Sequence, residues 1–163
     1  MKKVAIVMGS KSDAEILKKT HQILKEFGVE SVVRVLSAHR TPQQAAAFAK
    51  NAAEDGFGVI ICAAGKAAHL AGVIAGHTIL PVIGLPILSS TLDGLDSLLS
   101  TVQMPGGVPV ATVAINGAEN AAILAVQILS LSEKSLQEKL YQYKQKIENS
   151  TLEADSNIMD YFM

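Results

Sequence analysis

The chain has one cysteine in 163 residues, no tryptophan, and only 4% aromatic residues. A lone thiol, Cys62, closes no intrachain disulfide, and its apolar neighbours mark it as a buried structural residue. With so few aromatics there is little on which to stack a flavin ring. Charge is also sparse: 14 basic side chains stand against 15 acidic ones, a net charge of -1 with no basic stripe, which excludes a nucleic-acid surface. No apolar run reaches the roughly 18 residues of a membrane span, so no membrane partner is expected. Met1-Lys2-Lys3 passes straight into a strand-like run with no small-residue cleavage site, so the expectation is a cytoplasmic chain without a signal peptide. No spacing of His, Cys, Asp and Glu suits a metal, and none is expected.

What is present is a long supply of Ala, Val, Ile and Leu. At 49% hydrophobic and 18% charged, the chain can bury a full core, and it is read as a single domain over residues 1–163. Short apolar runs alternate with helical patterns: Val4–Val7, Val32–Leu36, Val59–Ala63, Leu80–Gly84 and Val108–Ile115 as strands. Helices are expected from about Asp13 to Phe27, Pro42 to Asp55 and Glu119 to Leu131, with a short one after Ala68; Gly28 and Gly56 stand just past the first two. Strands that are apolar throughout and spaced by helices indicate a parallel sheet covered on both faces, a three-layer α/β/α sandwich. That core ends near residue 131. An extra helix, Glu133 to about Glu148, carries Leu136, Leu140, Tyr143 and Ile147 on one stripe, followed by a tail from about Asn149. This stripe and the apolar Leu98–Pro109 segment predict subunit contacts.

Two strand-to-helix loops hold the chemistry. After Val4–Val7 comes Met8-Gly9-Ser10-Lys11-Ser12-Asp13, where Ser12 and Glu15 form a candidate capping box and leave helix N–H groups facing an anion. After Val32–Leu36 comes Ser37-Ala38-His39-Arg40-Thr41-Pro42, with Thr41 and Gln44 as a second candidate box and Pro42 at the first helical position. Both loops fall at the carboxyl edge of the sheet, where open α/β sheets bind ligands. A guanidinium, hydroxyls and a histidine there suggest a phosphate and sugar cradle beside a proton-transfer group.

These two loops, with Ala67-Ala68-His69-Leu70, Asp96-Ser97-Leu98-Leu99-Ser100 and Val102-Gln103-Met104-Pro105 in that order, resemble the PurE family of purine biosynthesis. The resemblance implies a flavodoxin-like subunit assembled as a homo-octamer with sites at subunit junctions. Class I members convert N5-carboxyaminoimidazole ribonucleotide to 4-carboxyaminoimidazole ribonucleotide; class II members carboxylate aminoimidazole ribonucleotide with CO2. Neither uses a metal, biotin or ATP. By matching position, His39 and His69 resemble the catalytic histidines, Arg40 the phosphate ligand, and Ser10 and Asp13 the nucleotide-binding pair, with Ser12, Ser37, Ala38, Gly65, Lys66 and Leu70 around the substrate.

Some positions depart from class I. Gly65-Lys66 stands where class I has Gly-Gly, Ala71-Gly72 where it has Pro-Gly, and the Asn116–Asn120 turn is shorter. Class II carries a basic residue near Lys66 but lacks the equivalent of His69 and usually has lysine at Arg40, so the balance favours class I. A cation at Lys66 would act on His69 or hold a carboxylate directly. Two other uses of such a fold, a metal-dependent receiver and a flavin-binding module, fit less well. The first needs carboxylates where Gly9-Ser10 and Ala63-Ala64 stand, and the second needs aromatics.

Overall fold

In the computed structural model, which describes all 163 residues, the apolar runs form β1 (Lys3–Met8), β2 (Ser31–Val35), β3 (Phe57–Gly65), β4 (Val82–Ile87) and β5 (Ala111–Thr112). The helices are α1 (Ala14–Glu26), α2 (Pro42–Asn51), α3 (Leu70–Ala75), α4 (Leu95–Val102), α5 (Ala118–Ser130) and α6 (Lys134–Asn157). The strands lie in the order β2-β1-β3-β4-β5, each pair parallel. This is the flavodoxin-like order, in which the chain changes direction of travel between β1 and β3 and leaves a crevice at their carboxyl ends.

Alternate residues of the inner strands feed two cores. On one face Val4, Ile6 and Met8 of β1 and Val59, Ile61 and Ala63 of β3 pack with Leu17 and Leu24 of α1 and Val126 and Leu129 of α5. On the other, Ala5, Val7, Ile60 and Cys62 meet Ala45 and Ala49 of α2 and Leu70 and Ile74 of α3. A strand buried on both sides must be apolar at every position, which is why these runs do not alternate. Cys62 is enclosed, and desolvation pushes its thiol far above its ordinary value, so it is chemically inert. Gly28 and Gly56 take left-handed φ of +76° and +87°, the conformation that glycine enters freely.

Several local expectations are corrected. Neither capping box forms. A 3-10 turn, Lys11–Asp13, precedes α1, so the Ser12 N–H donates to Ser10 Oγ (3.3 Å), while Glu15 turns out to accept from Lys18 (2.6 Å). Thr41 Oγ1 accepts from the Ser37 N–H (2.9 Å) and donates to the Ser37 carbonyl (3.2 Å), closing its own loop instead of capping α2; Pro42 does open that helix. The second helix stops at Asn51, because residues 52–56 turn to deliver Phe57 into β3. The fifth strand shrinks to two residues paired with Ile83 and Gly84, in keeping with Pro109, which has no N–H for a ladder. The edge strand β2 is covered only in part, with Val33 and Val35 about half exposed. The segment near Leu98 forms α4, whose Thr101 lies so close to Gly84 that no Cβ fits there.

The last helix runs to Asn157, well past the expected Glu148, since neither glycine nor proline follows Gly117 to stop it. Its first half is satisfied within the chain: Leu136 is fully buried, Leu140 and Tyr143 pack on the larger core, and the Tyr143 ring meets Phe27 edge-on at 5.7 Å. Lys139 Nζ donates to the Phe27 carbonyl (2.7 Å) and Gln137 Nε2 to the Ser130 carbonyl (2.8 Å), covering groups that α1 and α5 leave unpaired at their ends. Only from Ile147 onward is the apolar stripe unpartnered. Leu136→Ala, which removes a side chain enclosed on all sides, is expected to cost about 2–5 kcal/mol of stability in chemical denaturation. A loss below about 0.5 kcal/mol would show that α6 does not dock on the core.

Candidate active site

The carboxyl ends of β1, β2, β3 and β4 surround one cleft of about 670 Å3. The β1 loop contributes Gly9, Ser10, Ser12 and Asp13; the β2 loop Ser37, Ala38, His39 and Arg40; the end of β3 Gly65, the loop after it Lys66, Ala67 and His69, and the start of α3 Leu70. All eleven residues singled out in the sequence, from Ser10 to Leu70, therefore line a single space. His21 and His77 lie outside it: His21 pairs with Ser31 Oγ (2.8 Å) and His77 with the Val73 carbonyl (2.9 Å).

The β2 loop is a tight turn held by its own side chains. Ser37 Oγ accepts from the Arg40 N–H (3.1 Å), and Thr41 clamps Ser37 from the other side. Arg40 Nη2 donates to the Gly9 carbonyl (2.8 Å), which ties the β2 loop to the β1 loop and leaves other guanidinium N–H groups for an anion. Facing it, Asp13 is nearly buried at the start of α1 and accepts from Ser12 Oγ (3.0 Å). Burial raises its carboxyl above the ordinary range, and the hydrogen bonds from Ser12 and the Ser10 backbone pull it back in part. A carboxylate in that position gains from further donors, such as the hydroxyls of a ribose.

The two histidines come from loops thirty residues apart and meet. His39 Nε2 and His69 Nδ1 are 2.9 Å apart, with rings 83° from parallel. One nitrogen must donate and the other accept, so the pair shares a proton and each ring keeps a second nitrogen for a ligand. His69 stands immediately before α3, its N–H bonded to the Ala67 carbonyl (2.9 Å), and small residues at Ala64 and Ala67 leave room beside it.

Lys66 takes a left-handed φ of +58°, unusual for a side chain with a Cβ and costing it about 1 kcal/mol relative to glycine. Ile87, Leu88, Ser89 and Ser90 form a fourth wall that the motifs did not include. β4 runs past the expected end at Gly84 through Pro86 to Ile87, beyond the level at which β5 pairs with Ile83 and Gly84. The usable signal was the Ser89-Ser90-Thr91 cluster following an apolar run. Asn116 Oδ1 accepts from the Leu88 N–H (2.9 Å) and Asp96 accepts from Ser89 Oγ (2.8 Å), so this wall is pinned from α4 and the α5 loop.

The sequence model of the AIR carboxylase family matches residues 3–150. The chain belongs to this family. A relative from Thermotoga maritima, named N5-carboxyaminoimidazole ribonucleotide mutase, is 53% identical over 94% of this chain and 90% of its own length. A chloroplastic phosphoribosylaminoimidazole carboxylase from Vigna aconitifolia is 49% identical over 91% of this chain, which spans 27% of that longer protein. The crystal structure of Treponema denticola PurE superposes with a TM-score of 0.87 at 33% identity, covering 94% of this chain and 96% of the other.

The raised carboxyl of Asp13 makes a signed prediction. Its ionised form is penalised in the fold, so its contribution to stability is complete below the unfolded value near 3.8 and is lost as pH rises through the folded value. Asp13→Asn should therefore leave the ligand-free protein more thermally stable than the parent at pH 7, with the difference closing below about pH 3.8. The same substitution should weaken nucleotide binding, measured by calorimetry.

Proposed function

We propose that this chain is an N5-carboxyaminoimidazole ribonucleotide mutase, forming 4-carboxyaminoimidazole ribonucleotide in purine biosynthesis. The observation that carries this reading is the His39–His69 pair set in a cleft that also holds Arg40 and Asp13, in a chain half identical to proteins so named. In the reaction, the bond from the exocyclic nitrogen to its carboxyl carbon breaks, CO2 is released and retained, and a new bond forms from ring carbon to CO2. The ring carbon loses a proton and the exocyclic nitrogen gains one, with no net change in protons.

The site's residues divide this work by chemistry. Arg40 holds the phosphate through its free N–H groups, while Ser10 and Ser12 line the same end, and Asp13 accepts from ribose hydroxyls. His39 moves the proton between ring carbon and nitrogen, since an imidazole nitrogen can both take up a proton and give it back. His69, sharing a proton with His39, lets that ring gain or give one without bulk water. Ser37 and Ala38 shape the β2 loop around the ring, and Gly65, Ala67 and Leu70 enclose the CO2, which offers almost no polar handle.

A second reading, direct carboxylation of aminoimidazole ribonucleotide with CO2, is favoured by Lys66 and by the carboxylase name of the plant relative. His69 and Arg40 weigh for the mutase. Supplying the N5-carboxylated nucleotide should give fast conversion without ATP, while aminoimidazole ribonucleotide with bicarbonate gives little. His39→Asn should lower kcat by at least 10² to 10⁴-fold with nucleotide affinity nearly unchanged; retention of more than about a tenth of the rate would remove His39 from the proton path.

The assembly proposed is a homo-octamer of one catalytic domain per chain, with sites completed at subunit junctions. Leu95, Leu99 and Val102 form an exposed apolar stripe along α4, Leu92 is exposed in the turn before it, and α6 is bare beyond Ile147. Patches of this kind are uncommon on monomers. Light scattering should return eight times the 17.2 kDa chain mass, and a monomer would overturn the shared site. The expected setting is the cytoplasm; no helix of the chain is long and apolar enough to cross a membrane.

A further inference from the structure

The cleft is lined by two permanent cations, Arg40 and Lys66, and they belong to different loops. Arg40 sits at the end formed by the β1 and β2 loops, tied to Gly9. Lys66 sits just after β3, on the stretch that leads to His69. No carboxylate pairs with Lys66: the ion pairs of the chain join Met1 to Glu133 and Lys18 to Glu15, and the only acid lining the cleft, Asp13, is bonded to Ser12. The lysine also holds a backbone conformation, φ +58°, that glycine adopts without strain. A strained, unpaired cation lining the cleft that also holds the two histidines calls for an anion from the ligand.

We propose that Lys66 is a specificity-determining contact whose ammonium takes the carboxylate of the carboxylated nucleotide on the β3 side of the cleft, while Arg40 takes the phosphate beside the β1 and β2 loops. This rests on the mutase reading above. A nucleotide that carries both a phosphate and a carboxylate presents two anions, and the cleft presents two cations on separate loops. The parent aminoimidazole ribonucleotide has only the first anion, so Lys66 separates the two nucleotides by affinity.

Calorimetry with 4-carboxyaminoimidazole ribonucleotide and with aminoimidazole ribonucleotide tests this on the full-length protein and on Lys66→Asn and Lys66→Arg. Asparagine tolerates positive φ, so the backbone is kept while the charge is removed; arginine keeps the charge. Lys66→Asn should weaken the carboxylated nucleotide by about tenfold, the low end for a charge-assisted bond, and the uncarboxylated one by less than about twofold. Lys66→Arg should restore the carboxylated nucleotide to within about threefold of the parent. Equal weakening of both nucleotides by Lys66→Asn, or no weakening of either, overturns the assignment. A parent protein that binds neither nucleotide overturns the mutase reading itself, an outcome visible before any variant is made.

Discussion

Everything in this molecule hangs on β1 being hydrogen-bonded on both sides, to β2 and to β3, in parallel register from Val4 to Met8. Because Met8 is level with Val35 on one side and Ala63 on the other, β1 and β2 leave the sheet at the same height, and β3 follows two residues later at Gly65. The reversal of chain direction at this point keeps the helices that follow from closing over the strand ends. A cleft is the geometric consequence.

On that frame the loops need little more than their own side chains to become rigid. Ser37, Arg40 and Thr41 lock one turn, Ser10 another, and the Arg40–Gly9 bond staples the two. The result is a site whose polar groups are arranged before a ligand arrives, which lowers the reorganisation needed at the moment of reaction. Some of this preorganisation is unfavourable to the fold alone: Asp13 is buried against its charge, and Lys66 is held at positive φ. Both strains lie in the cleft, where ligand groups of complementary charge or hydrogen-bonding character relieve them.

The periphery follows a different logic. The first turns of α6 are spent on the subunit's own core through Leu136, Leu140 and Tyr143, and on the carbonyl ends of α1 and α5. Its outer half, and the apolar stripe of α4, face away from that core. Leu88, which lines the cleft, is itself exposed.

Much of this was legible in the residues alone. The uninterrupted apolar runs announced a parallel sheet, Gly28 and Gly56 marked their turns, and the motifs from Ser10 to Leu70 named the residues that line the cleft. These are short-range signals, written in consecutive residues. The capping pattern misled because side-chain hydroxyls choose among several nearby donors: Thr41 served its own loop, and Ser10 displaced Ser12. The continuation of β4 through Pro86 depended on what its neighbour did at that height. The strand-helix alternation and the chemistry carried by each loop are therefore local properties of consecutive residues. That His39 and His69 share a hydrogen bond, that Ser89 and Ser90 form a wall, and that Lys66 stands strained and unpaired depend instead on the assembled fold. Those facts arise from strand order and register, which bring together residues that no local pattern connects.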